Sequence, residues 1–346
     1  MELNKKLVVS SSPHIRNPED TRSIMLDVII AMVPALGVAI YVFGLQALAL
    51  VLVSVAASVF FEWAYRKIMK KDSSIGDLSA VVTGMLLAFC MPANAPLWLP
   101  IPGAFFAIVI VKQLYGGIGK NFVNPALAGR AFLFSWPVLM NTFAAPFGYE
   151  SILNIGADAV TAATPMGSLH AGTLPEDSLV NMFLGFIGGS LGEVSALALL
   201  VGGAYLVLRK VISLRIPVSY LATVAVITVI FPKNGCDNLQ WMAYNLLGGG
   251  LMLGAIFMAT DYATSPVTKK GQIIYGIGCG ALTVFIRYFG SYVEGVSYAI
   301  LIMNVCVWLI DKVTLPRQFG VSKEDRRRAK EQEKEAKKKA KEVAAQ

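Results

Sequence analysis

The chain has 346 residues, of which 55% are hydrophobic and only 15% charged, against roughly 25% charged in an average soluble protein. So apolar a chain excludes a water-soluble domain, because a fold of this size cannot hide that much apolar surface without a bilayer. The net charge of +8 does not indicate a nucleic-acid partner: the last 26 residues, 321–346, hold ten Lys and Arg against six Asp and Glu, a net +4, and most of the remaining excess lies in short connections, where it speaks of membrane orientation.

The first 22 residues are polar, and no cleavable leader is expected. A spanning helix needs about 20 mostly apolar residues. Ten segments answer that description, at 23–43, 45–64, 78–91, 97–114 and 126–143, then at 193–208, 214–231, 239–259, 272–289 and 292–309. The third is short and ends at Pro92-Ala93-Asn94-Ala95-Pro96, so a broken or tilted element is expected there. The apolar stretch 179–189 is too short to span and reads as a half-helix, tolerated only where it is buried in protein or lines a cavity. Five segments in each half allow an inverted repeat of the kind seen in many transporters, with a weak echo where apolar runs end in Arg66-Lys67 and again in Arg209-Lys210. The chain thus reads as an all-α integral membrane protein of about ten transmembrane helices. It divides into a segment 1–22, a membrane domain 23–320 and a charged tail 321–346. The tail has no apolar face and reads as solvated, with anionic membrane lipid as a partner it could attract.

Positive charge alternates along the connections. Arg66, Lys67, Lys70 and Lys71 follow the second span; Lys112, Lys120 and Arg130 follow the fourth. Arg209, Lys210 and Arg215 follow the sixth, and Lys269 and Lys270 the eighth. The other side holds only Lys233 and Arg287. The positive-inside rule then puts both termini in the cytoplasm. The interval 144–178 falls outside. It has Glu150, Asp158, Glu176 and Asp177 and no Lys or Arg, and a loop of this length points to a function.

The four cysteines, Cys90, Cys236, Cys279 and Cys306, have no CxxC spacing, and the two histidines, His14 and His170, are far apart. Neither a metal site nor an iron–sulfur pattern is expected, and no GxGxxG follows a strand. Intramembrane acids are functional suspects by default, which makes Asp27, Glu193 and Glu294 candidates for an ion path, with Asp261 near a helix end. Gly250 and Gly254, and Gly276 and Gly280, form GxxxG pairs that read as helix packing, with close approach to a flat ligand as the alternative. The breaks at Asn124-Pro125 and Thr264-Ser265-Pro266 offer backbone polar groups to a ligand.

Within the external loop, Asp158-Ala159-Val160-Thr161-Ala162-Ala163-Thr164 resembles the flavin-attachment motif of the NqrB/RnfD family, with Ala162 where that motif often has Gly. The resemblance runs through most of the chain before the tail. It includes Ser12-Pro13-His14, Thr21-Arg22-Ser23-Ile24-Met25, Asp77-Leu78-Ser79-Ala80-Val81-Val82-Thr83-Gly84, Asn124-Pro125-Ala126, Gly129-Arg130-Ala131-Phe132, Gly188-Gly189-Ser190-Leu191-Gly192-Glu193 and Ala259-Thr260-Asp261. It favours the RnfD branch. It implies FMN esterified through its phosphate to Thr164, with Asp158 and Thr161 completing the motif. It also implies a second, noncovalent flavin such as riboflavin, for which the two helix breaks are the expected place.

The implied setting is the Rnf complex in a bacterial or archaeal cytoplasmic membrane. There, electrons pass between ferredoxin and NAD with Na+ or H+ translocation. Other Rnf subunits handle ferredoxin and NAD, and a flavin transferase loads Thr164. No basic side chain lies near Thr164 in sequence, so backbone amides of a turn or helix start are expected to face the phosphate. Two rival classes remain beside this one, a small-solute transporter or channel with Thr164 unmodified, and an assembly scaffold with no cofactor.

Overall fold

The computed structural model describes residues 20–148, 164–193, 195–233, 236–290, 292–316 and the single residue 332. Asp158, Thr161 and nearly all of the tail lie outside the described residues. Within them every named element is a helix, and an isolated antiparallel bridge joins Pro92 to Ser190.

Four helices are long and apolar enough to cross a bilayer: α1 (Thr21–Phe43), α2 (Leu45–Ile68), α13 (Lys269–Phe289) and α14 (Val296–Thr314). Shorter apolar helices stand between them. These are α3 (Ser79–Phe89), α4 (Pro100–Phe105, continued by a π-helix Phe106–Gln113), α9 (Ala196–Leu208) and α10 (Arg215–Ile230). The protein is a multi-pass membrane protein, and five expected apolar segments precede the loop 144–178 while five follow it. Large apolar side chains such as Leu52, Phe60, Val226, Phe285, Val305 and Trp308 face outward and exposed, where lipid tails would meet them.

Two segments expected to be continuous are broken. The fifth divides into α5 (Pro125–Leu133) and α6 (Pro137–Met140), because Pro137 lacks the N–H that would carry the helix on and its ring clashes with the preceding turn. The eighth divides into α11 (Asn238–Leu247) and α12 (Leu251–Leu253, continued by a π-helix Gly254–Met258), bent by 63°. Gly249 and Gly250 between them have φ of +68° and +63°, the left-handed region open to residues without a Cβ.

The expected half-helix is α8 (Leu179–Leu184), preceded by α7 (Pro165–Ala171). The chain after α8 returns into the bundle and meets the break that follows α3. Leu191 N–H donates to Met91 O at 2.9 Å and Gly192 N–H to Phe89 O at 2.8 Å. Two irregular segments thereby satisfy each other's backbone, the condition for non-helical chain inside a membrane. The core is assembled around them from residues such as Met32, Leu50, Leu87, Phe89, Leu127 and Tyr220, all fully buried.

Candidate cofactor site

Thr164 occupies the N-cap position of α7 in extended backbone, but its hydroxyl makes no capping bond. It lies in the wall of a cavity of about 400 Å³ together with Gly167, Arg130, Phe134, Glu294 and Tyr298. That volume falls in the range of roughly 300–1,000 Å³ usual for small-molecule sites. One side of the cavity is aromatic: Tyr292 and Tyr298 have ring centroids 4.7 Å apart, and Phe134 is 5.9 Å and 6.2 Å from the two. The segment 141–148 roofs the same end of the bundle, where Phe147 N–H donates to Val42 O near the end of α1 at 3.0 Å.

The helix start is a poorer phosphate cradle than the sequence leads one to expect. Residue 165 is proline and has no N–H, and Gly167 N–H is used by Thr164's own carbonyl at 2.9 Å. The cation in the cavity wall is instead Arg130, thirty-four residues earlier and one turn from the end of α5. Its Nη1 donates to Ser297 Oγ at 2.6 Å and its Nη2 to the Glu294 carboxylate, while its Nε, on a side chain almost wholly buried, has no partner among the described residues. Glu193 Oε1 lies 3.9 Å from the same Nη2. The fold thus brings Thr164, Glu193 and Glu294 to one place through Arg130.

A second, narrower cleft opens near the start of α1. Met25, Val28, Lys112, Asn121, Asn124, Thr260 and Asp261 line it, so it lies against both breaks singled out in the sequence. Asn124 caps α5 by accepting from Ala126 N–H at 3.0 Å and ties α5 to the other broken segment by donating to Met258 O at 3.2 Å. Thr264 Oγ1 donates to Asp261 Oδ2 at 3.0 Å. Both π-helices end here, in keeping with the frequency of such segments at functional sites. The volume is about 100 Å³, below the usual small-molecule range.

Asp27 stands apart from both groups of residues. It joins α1 to α9, accepting from Tyr205 Oη at 2.8 Å and from Arg209 Nε at 3.2 Å.

The NQR2, RnfD, RnfE family pattern matches residues 8–320. The chain belongs to that family. The D component of the Na(+)-translocating ferredoxin:NAD(+) oxidoreductase complex of Acetobacterium woodii is 53% identical over 326 residues, covering 93% of this chain and 97% of the relative. The corresponding D component of the proton-translocating ferredoxin:NAD(+) oxidoreductase complex of Clostridium ljungdahlii is 42% identical over 322 residues, with 90% and 96% covered. That of the ion-translocating oxidoreductase complex of Stutzerimonas stutzeri is 38% identical over 323 residues, with 86% and 91% covered. Within the family the chain stands with the RnfD members, and it is a subunit of an ion-translocating oxidoreductase complex.

Charge pattern counts three basic residues among the connections that the structure places inside helices. Lys112 stands on the π-helix after α4, Arg130 on α5 and Arg287 on α13, and all three are buried ion or hydrogen-bond partners. Glu62, fully buried and paired with Lys112, is missed altogether. The signal for it was present in Phe60-Phe61-Glu62-Trp63, a charge set in an apolar run.

Proposed function

We propose that this chain is the flavin-carrying membrane subunit of an Rnf-type complex. On this reading FMN is esterified to Thr164, electrons pass through it between ferredoxin and NAD handled by other subunits, and Na+ or H+ crosses the membrane in the assembled machine. The single observation that carries the reading is that Thr164, the residue matching the family's attachment position, opens onto a 400 Å³ cavity walled by aromatic rings and by Arg130. The donor chemistry fits the group. Phe134, Tyr292 and Tyr298 offer rings to a flat ring system, Arg130 offers a cation whose Nε has no partner among the described residues, and Gly167 leaves room beside the hydroxyl.

Bound there, a flavin supplies one- and two-electron redox chemistry, while the protein supplies position and electrostatics. The tether holds the group at one end of the bundle. The positive-inside rule makes that the external end, with both termini in the cytoplasm of a bacterial or archaeal cell. A flavin transferase acting outside would then reach loop 144–178. A second, noncovalent flavin such as riboflavin is assigned to the cleft at Asn121, Asn124 and Asp261. Its amides and hydroxyls suit the polar edge of the ring, and its volume requires the cleft to open on binding.

Peptide mass spectrometry on protein co-produced with a flavin transferase tests the reading. An FMN-sized addition on the peptide holding Thr164, absent from Thr164→Ala, is the expected result. An unmodified Thr164 under those conditions sinks the flavin-carrying reading and leaves the chain a subunit of the complex with no covalent cofactor.

A further inference from the structure

Behind the wall of the Thr164 cavity one guanidinium is divided between two carboxylates. Arg130 Nη2 bonds the Glu294 carboxylate and lies 3.9 Å from Glu193 Oε1. Glu294 lines the cavity, whereas Glu193 is sealed behind it. Among the described residues the other oxygen of Glu193 accepts a long bond, 3.5 Å, from Ser190 N–H. Gly250 closes the remaining side: a Cβ on it would stand 2.8 Å from Glu193 Oε1. Arg130 Nε and Ser190 Oγ, both on side chains more than nine-tenths buried, have no partner among the described residues.

An ionised carboxylate this far from water needs a paired charge or a full set of hydrogen bonds. Glu193 has only a distant share of one charge, since Arg130 stands 3.9 Å away and makes its hydrogen bonds to Glu294 and Ser297. The other cation facing the cluster, Arg287, is engaged by the carbonyls of Asn245, Gly248 and Gly249, where it offsets the negative end of α11. Of the other titratable groups near the cluster, Cys90 is a buried free thiol, and Tyr292 and Tyr298 line the cavity beside Glu294.

We propose that Glu193 is a proton-loading residue: it holds a proton while Arg130 is bound to Glu294 and gives it up to water when Arg130 turns to it. Only the proton moves, and Arg130 stays charged throughout. A proton fits here better than a metal ion, since a guanidinium 3.9 Å away repels a bound cation. Negative charge arriving in the cavity strengthens the hold of Glu193 on its proton, which links proton uptake to electron arrival. That link rests on Thr164 being the flavin anchor; the proton on Glu193 does not.

Infrared titration of the full chain, purified without a flavin transferase, tests the proton. Wild type should show a carboxylic-acid carbonyl band at neutral pH that Glu193→Gln removes. Glu294→Gln should remove the same band although Glu193 is still present, because the freed Arg130 then pairs with Glu193 and ionises it. A merely structural Glu193 gives no such cross-effect. A band that survives either substitution overturns the proposal. Should Glu193→Gln fail to fold, Glu193→Asp decides the matter: the band shifts in frequency if residue 193 carries the proton and stays put if it does not.

The link is read on FMN-loaded protein. The shift of flavin midpoint potential with pH should flatten in Glu193→Gln, and an unchanged slope overturns the link. Absence of FMN from wild-type Thr164 overturns the link together with the flavin reading, while the infrared result still decides the proton.

Discussion

Lys112 Nζ lies 2.9 Å from Glu62 Oε2, and the two side chains are 3% and 0% exposed. The π-helix that continues α4 places the lysine there, with Leu114 N–H donating five residues back to Val109 O at 3.0 Å. Ser79 Oγ accepts from Lys112 at 2.6 Å, and Ser74 donates its hydroxyl to Glu62. Removing one member of a buried pair leaves an uncompensated charge, which costs about 3–5 kcal/mol, whereas replacing both with neutral groups is often close to neutral. Glu62→Gln and Lys112→Met should each lower the melting temperature of the purified protein, and the double variant should recover most of the loss. Losses that simply add would mean that the two groups are not coupled.

Gly167 gives a test of the cavity that leaves Thr164 untouched. Among the described residues a Cβ at this position meets only Thr164 Oγ1, at 3.9 Å, an ordinary contact. Gly167→Ala should therefore fold at least as well as wild type, since alanine is favoured over glycine in a helix by about 1 kcal/mol, and should still accept FMN. Gly167→Phe should fill the space beside the hydroxyl and block loading. Peptide mass spectrometry with the transferase present reads both. Equal loading of the two variants would show that the flavin does not occupy this cavity.

The all-helical, multi-pass character of the chain was legible in the sequence because a bilayer imposes a length on each span. The places where helices stop inside the bundle were only partly legible. Pro92 and Pro96 announced the break after α3, and the apolar length of 179–189 announced α8. The break between α11 and α12 was hidden, because Gly248-Gly249-Gly250 reads equally as a packing stripe. Of the two GxxxG pairs, Gly276 and Gly280 do pack a helix face, but Gly250 is a left-handed residue beside Glu193. Thr164 could be picked out by its motif. Arg130 could not, since its partner Glu294 lies 164 residues away, and charge counting assigns such a residue to the nearest loop.

Asp27 is an intramembrane acid tied into a contact between two helices. It is held by Tyr205 and Arg209 at the junction of α1 and α9, and the Arg209 side chain is 54% exposed, so the pair is worth little, on the order of 1 kcal/mol or less. Asp27→Asn keeps a partner for the Tyr205 hydroxyl. Ion uptake by vesicles carrying the assembled complex should stay close to wild type in this variant. A loss of uptake with unchanged electron transfer would return Asp27 to the ion path.

Gly280 presses α13 onto α10. A Cβ there would stand 2.7 Å from Thr223 Cβ and 2.9 Å from Tyr220 O, and the backbone oxygen cannot rotate away as a side chain can. Even alanine forces the helices apart, and overpacking of this kind costs typically about 1–3 kcal/mol. Gly37, in the middle of α1, has nothing among the described residues within 4 Å of the same added atom, so Gly37→Ala serves as a control with the same chemical change. Gly280→Ala should melt below wild type, while Gly37→Ala should melt at or above it. If both variants melt alike, the close approach of α10 and α13 contributes nothing to stability, and small-residue packing is the wrong account of this helix pair.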